Sequence, residues 1–232
     1  MHIQDGFLVA KWAIGWYGAA SVFVAKGVYD IAQRSKKILM FKPLLGLISA
    51  AVFFMSLLPI PVPILGTSSH PAGTPMAAIL VGPFISTILG LVALLLQALF
   101  FAHGGLTTLG ANVFSMGIVG SFAGYGIFRL GRKIGLSLWL AACLAGIIGD
   151  LAVYLTTTLE LALGKPDIQG VSLAESFFGF LALFMPTQLP LALLEGLVTG
   201  GMVSYIAKVR PDILKTLGVL EGPDLEVNHN EG

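Results

Sequence analysis

The sequence predicts an all-α membrane protein, a bundle of about seven transmembrane helices with the N-terminus outside and the C-terminus inside. Three observations carry this. Of 232 residues, 56% are hydrophobic and only 11% charged, and the mean hydropathy is +0.90, far from the composition of a soluble globule. Apolar runs recur at about the 20-residue length that crosses a bilayer. Basic residues gather at three places, Arg34, Lys36, Lys37 and Lys42; Arg129, Arg132 and Lys133; and Lys208, Arg210 and Lys215, which the positive-inside rule assigns to the cytoplasm. Thirteen basic against twelve acidic side chains leave a net charge of +1, which excludes nucleic-acid binding as a main function. Cys143 is the only cysteine, so an internal disulfide, a CxxC redox pair and an all-cysteine metal site are excluded too.

Clear membrane segments are expected at 7–29, 38–59, 112–130 and 135–162. The first has no basic n-region and no A-x-A-like cleavage site, so it is expected to be mature structure rather than a signal peptide. Residues 76–102 are interrupted by Gly82-Pro83, and residues 172–208 contain Pro186 and Pro190, so each reads as one span or two shorter ones. The basic clusters arbitrate for 76–102. A single pass there would put the second and third clusters opposite the first, so a pair of short or broken helices is expected, with either one of them re-entrant or the second extending beyond Ala102. Gly120-xxx-Gly124, Ala145-xxx-Gly149 and Gly196-xxx-Gly200 set small residues on one helix face, which predicts close helix packing. The expected organisation is a membrane domain over 1–210 and a polar cytoplasmic tail over 211–232.

Four histidines occur, and this topology puts His2, His70 and His103 outside, leaving His229 in the tail. With Met1 unblocked, its amine, the His2 amide nitrogen and the His2 imidazole can close two fused chelate rings around one ion. Peptide planarity makes that set nearly flat. It suits Ni(II), Cu(II) or Co(II) better than Zn(II), which favours a tetrahedron. A second imidazole would fill the fourth corner. His70 is a candidate, in a loop whose Thr67, Ser68 and Ser69 hydroxyls are placed to accept its ring N–H. Taken alone, His2 reads more readily as an ordinary second residue than as a chelator, and His70 also reads as a surface residue of a turn.

The stretch from His103 to Asn112 is glycine-rich and carries Thr107 and Thr108. Packing beside the ligand loop is as good a reading of His103 as ligation, with Asn112 as loop support. Asp150, Glu160, Gln188 and Glu195 lie in apolar runs, where they should face protein or water. No chain of ionisable groups spans the sequence as a proton relay would require.

These residues resemble a known family, the substrate-binding S component (M subunit) of cobalt/nickel transporters of the energy-coupling-factor type. The resemblance is carried by Met1-His2-Ile3-Gln4-Asp5-Gly6-Phe7, by Thr67-Ser68-Ser69-His70-Pro71, by Ala77-Ala78-Ile79-Leu80 through Gly82-Pro83, and by Gln97 through Phe114. It covers about residues 1–210. It implies a seven-helix bundle and a square-planar site for Ni(II) or Co(II) made by the Met1 amine, the His2 amide and imidazole nitrogens, and His70. The implied partners are a transmembrane T subunit, two cytoplasmic ATPases and, in this branch, a small additional membrane subunit. A multi-pass protein of a prokaryotic cell membrane is expected. The sequence holds no GxxxxGK[ST] loop, so ATP hydrolysis is expected in the partners and not here. The rival readings are an intramembrane metal-dependent enzyme built on His2, His70 and His103, and a self-contained secondary transporter. Nitrogen donors alone do not separate nickel from cobalt.

Overall fold

The computed structural model describes residues 2–57, 60–62, 67–164 and 171–220. Seven helices form the bundle, α1 (Ala10–Lys37), α2 (Phe41–Ser56), α3 (Thr74–Val81), α4 (Pro83–Phe100), α5 (Leu109–Lys133), α6 (Leu138–Gly164) and α7 (Leu173–Val209). A short helix, α8 (Pro211–Leu217), follows. Between α2 and α3, β1 (Ile60–Val62) and β2 (Thr67–Ser69) pair as an antiparallel hairpin. By length and apolarity, α4, α5, α6 and α7 suffice to cross a membrane.

Region 76–102 is indeed two helices of unequal length. Gly82 takes φ 89 and ψ 157, a region essentially reserved for glycine, and Pro83 opens α4 where its missing N–H is not needed. The chain reverses there. Ser86 Oγ donates to the Thr74 carbonyl at 2.8 Å, and a Cβ on Gly90 would meet the Thr74 methyl at 3.0 Å, so α3 runs antiparallel to the first turns of α4. With 8 residues it is only about 12 Å long, and all of it is buried. It is a half-helix inside the bundle, not a pass. Arg34 Nη1 donates to the Val81 carbonyl at 3.0 Å, closing its C-terminal end.

Region 172–208, by contrast, is one continuous helix of 37 residues in which Pro186 and Pro190 sit without dividing it. Near the prolines Tyr154 donates to Leu181 O and Thr187 to Phe184 O. Ser172 and Glu175 form a reciprocal capping box at its start. α5 contains a π-helical stretch, Val113–Val119. Its wider turn leaves carbonyls for Thr74 Oγ1, which donates to Met116 O at 2.6 Å, and Thr87 Oγ1, which donates to Gly117 O at 3.0 Å.

The small-residue faces pack as expected, and all of them inside the bundle. A Cβ on Gly146 would lie 2.8 Å from the Gly196 Cα, one on Gly124 2.7 Å from Pro75, and one on Gly200 3.0 Å from the Trp139 carbonyl. Sequence assigned residues 211–217 to a solvated tail, yet Leu214 is fully buried in a core cluster with Phe41, Val52 and Met76. Seven residues make only about two turns, too few for Leu214 and Leu217 to show a readable period, which is why the sequence placed them in the tail. Residues 221–232, including His229, lie outside the described residues.

The antiparallel order gives the bundle two chemically distinct ends. The start of α1, the loop before α3, the end of α4 and the start of α5 meet at one end, which carries the histidines. The C-terminal ends of α1, α5 and α7, with the three basic clusters, lie at the other.

Candidate metal centre

His2, His70 and His103 come together. Each offers a ring nitrogen within 4.8 Å of the others, and the ring centroids are 4.4 Å apart for His2 and His70, 4.5 Å for His2 and His103, and 5.2 Å for His70 and His103. Two imidazole nitrogens on one small divalent ion, each about 2.1 Å from it, lie at most about 4.2 Å apart, so small side-chain adjustments suffice for a shared ion. His2 and His70 are buried, at 3% and 0% exposure, while His103 is half-buried. Neither ring nitrogen of His2 has a hydrogen-bond partner among the described residues. Buried polar atoms left so are costly, and ligation relieves the cost.

The N-terminal segment is pinned by the glycine-rich loop. Asn112 makes a two-point clamp on Ile3: the Ile3 N–H donates to Asn112 Oδ1 at 2.7 Å, and Asn112 Nδ2 donates to the Ile3 carbonyl at 3.0 Å. Thr108 Oγ1 donates to the same carbonyl at 2.6 Å. Asp5 Oδ1 accepts from the Thr107 amide at 2.8 Å and the Thr107 hydroxyl at 2.5 Å, and the hydroxyl is the main cause that lowers the Asp5 pKa. Gly104 and Gly105 admit this segment, since a Cβ on Gly104 would stand 3.1 Å from His2 Nδ1 and one on Gly105 2.2 Å from Asp5 Oδ1.

The His70 loop is held from the other side. Glu195 on α7 accepts the Ala72 amide on Oε2 at 2.5 Å and the Gly73 amide on Oε1 at 2.8 Å, a carboxylate set at the N-terminus of α3. Behind it, Asp150 lies beside Glu195. Gln188 Nε2 donates to Asp150 Oδ2 at 2.5 Å. Three of the four costly polar residues flagged in apolar runs thus build one truss under the ligand loop, and Glu160 is buried on α6. Their membrane cost was legible in sequence, but their common target was not.

Two expected roles change. His70 Nδ1 lies 2.8 Å from the Pro71 carbonyl, so backbone supplies the acceptor expected from the hydroxyls. Ser69 Oγ instead lies 3.4 Å from Thr187 Oγ1 and ties the loop to α7. Thr67 and Ser68 pair through backbone with Val62 and Pro61, their side chains lying outside what the structure describes. Met1 also lies outside the described residues.

Burial, and for His2 also the neighbouring His70, lowers the pKa of His2 and His70 well below the ordinary imidazole value. Burial takes His103 down to about 4. All three rings are therefore neutral near pH 7, the form that ligates metal. No carboxylate belongs to the cluster among the described residues. Such a set of neutral nitrogen donors suits late first-row divalent ions.

A family model described as the cobalt uptake substrate-specific transmembrane region, CbiM, matches residues 2–213. The chain belongs to this family. Relatives named cobalt transport protein CbiM include one from Geobacter sulfurreducens, 50% identical over 225 residues, and one from Sorangium cellulosum, 49% identical over 220. Each alignment spans 95% of this chain, but 63% of the Geobacter relative's length against 97% of the Sorangium relative's. A solved truncated transition metal transporter superposes with a TM-score of 0.79 at 29% identity, covering 90% of this chain and 99% of that one. A second transition metal transporter gives 0.73 at 30% identity, covering 90% and 93%. Membership makes this a membrane component of metal uptake.

Proposed function

We propose that this chain captures Ni(II) or Co(II) on the extracytoplasmic side and delivers it inward as the S component of an ATP-driven importer. The observation that carries the proposal is the convergence of His2, His70 and His103 at the bundle end opposite the three basic clusters. Basic ends face the cytoplasm, so the histidines face out, in a prokaryotic cell membrane.

In this reading the Met1 amine, the His2 amide and imidazole, and the His70 imidazole make a planar four-nitrogen site. The clamp on Ile3 and the Glu195-held loop support it by presenting the two histidines to one another. Membership in a cobalt uptake family supports Co(II), and the donor set accepts Ni(II) equally. Movement of the ion requires a transmembrane T subunit and two ATPases, with a small extra membrane subunit as a further partner. An enzyme built on the same histidines would need a nearby base for a bound water, and the nearest acid by sequence, Asp5, is engaged by Thr107.

The test is titration of purified protein with Co(II) and Ni(II), comparing a chain that begins at free Met1 with one carrying an added residue before it. High-affinity binding is expected only for the first. Equal affinity in both would remove the backbone chelate.

A further inference from the structure

Outside the ligand set lies a cavity of about 270 Å³ lined by Ser56, Leu57, Gln97, Phe101 and His103. Six waters at about 30 Å³ each fit such a volume, so it has room for a divalent ion with its hydration shell. Of the three clustered histidines only His103 lines it. His2 and His70 are buried, behind the clamped N-terminal segment on one side and the Glu195-held loop on the other.

The second observation is Gln97. Its side chain is fully buried, and its Nε2 donates to the Ser56 carbonyl at 3.1 Å and to Ser56 Oγ at 2.7 Å. Those bonds fix the amide, because a flip would set Oε1 against the Ser56 carbonyl. Oε1 itself is buried with no hydrogen-bond partner among the described residues. Gln97 stands in the wall of the cavity, a neutral polar side chain that a hydrated cation meets without charge repulsion. The Gln97 backbone carbonyl accepts the His103 amide at 3.2 Å. Ala102 adopts φ 48, an uncommon left-handed conformation for alanine, and the chain so turned brings His103 back over Gln97.

We infer that this cavity is the entry vestibule for a hydrated divalent cation, with Gln97 in its wall and His103 taking the ion first and passing it to His2 and His70. The transfer is ligand exchange, each incoming nitrogen replacing one water, which leaves through the cavity. The inference rests on the capture reading above and names the route into that site.

A route and a binding site separate kinetically. Obstructing a route slows entry and exit equally and leaves the equilibrium unchanged, whereas damaging a site speeds exit. Phe101 is 54% exposed and the natural cysteine, Cys143, is buried. In a Phe101→Cys, Cys143→Ala chain, a bulky disulfide-forming reagent would plug the vestibule reversibly. Stopped-flow mixing with Co(II), and chelator-triggered release, should both slow at least tenfold on labelling. The Kd should stay within twofold, and a reductant should restore both rates in the same sample. Gln97→Leu, which keeps side-chain bulk, should slow association five- to tenfold without labelling. Unchanged rates in the plugged protein, or faster release with a weakened Kd, would overturn the route. Absence of saturable Co(II) or Ni(II) binding in the unmodified chain would overturn the capture reading itself, and the route with it.

Discussion

Removing the Asn112 clamp should weaken metal binding without unfolding the bundle. Asn112→Ala deletes both hydrogen bonds to Ile3 and strands the buried Ile3 N–H, while Thr108 still serves the Ile3 carbonyl. Stranding a buried backbone donor costs about 1–3 kcal/mol, and losing the bond to the carbonyl about 1 more. The ion binds only the fraction of molecules in which His2 is held in place, so the loss is at most about 2–4 kcal/mol. That corresponds to roughly 30- to 700-fold in Kd, at about 1.4 kcal/mol per factor of ten. Thr108→Val removes one of two donors to that carbonyl and should cost about 1 kcal/mol, near fivefold. Thr108→Ser, which keeps the hydroxyl, should bind like the parent. The assay is competition titration with a chelator of known affinity, with circular dichroism as the check on helix content. An Asn112→Ala protein of full helicity and unchanged Kd would refute the claim that the clamp positions His2.

His70→Ala should weaken binding more than His103→Ala in the same titration. His70 is buried and His103 half-buried; in the proposed site the first is an in-plane ligand and the second a support beside it, a role worth about 10–100-fold. Lowering pH should destabilise the apo protein: the lowered imidazole pKa values mean that the unfolded chain binds protons which the folded one refuses. That contribution is complete above the unfolded value of about 6.5 and is lost as pH falls towards the folded value, about 4 for His103; thermal unfolding from pH 7 to 4 checks the sign. Metal affinity should already decline between pH 7 and 5, through the amine and amide of the chelate rather than the imidazoles, and a flat profile there would count against the backbone donors. Gly196→Leu should abolish folding or cost several kcal/mol, since even a Cβ would sit 2.5 Å from the Ile147 side chain and 2.8 Å from the Cys143 carbonyl; size-exclusion chromatography and thermal melts read this directly.

What the sequence determined alone was whatever depends on local chemistry. Membrane residence follows from transfer free energies that add along the chain, so the apolar runs were legible, as was the break at Gly82-Pro83, because only glycine takes that backbone angle cheaply. The chelate proposed for His2 was legible because its donors would lie on one short piece of chain. Basic clusters flagged one end of the bundle because each lies at a helix terminus. Tertiary structure decided what depends on which faces meet. It carried α7 unbroken through Pro186 and Pro190, with Tyr154 of a neighbouring helix donating to the Leu181 carbonyl. It seated Leu214 in the core, where a helix of about two turns was too short to show a period. It set Glu195, 123 residues away in sequence, under the Ala72 amide, and it aimed Asn112 at Ile3 rather than at a ring. It also brought His103 into the cluster with His2 and His70, because α4 must be of the right length and turn back at Ala102 before those rings share one space.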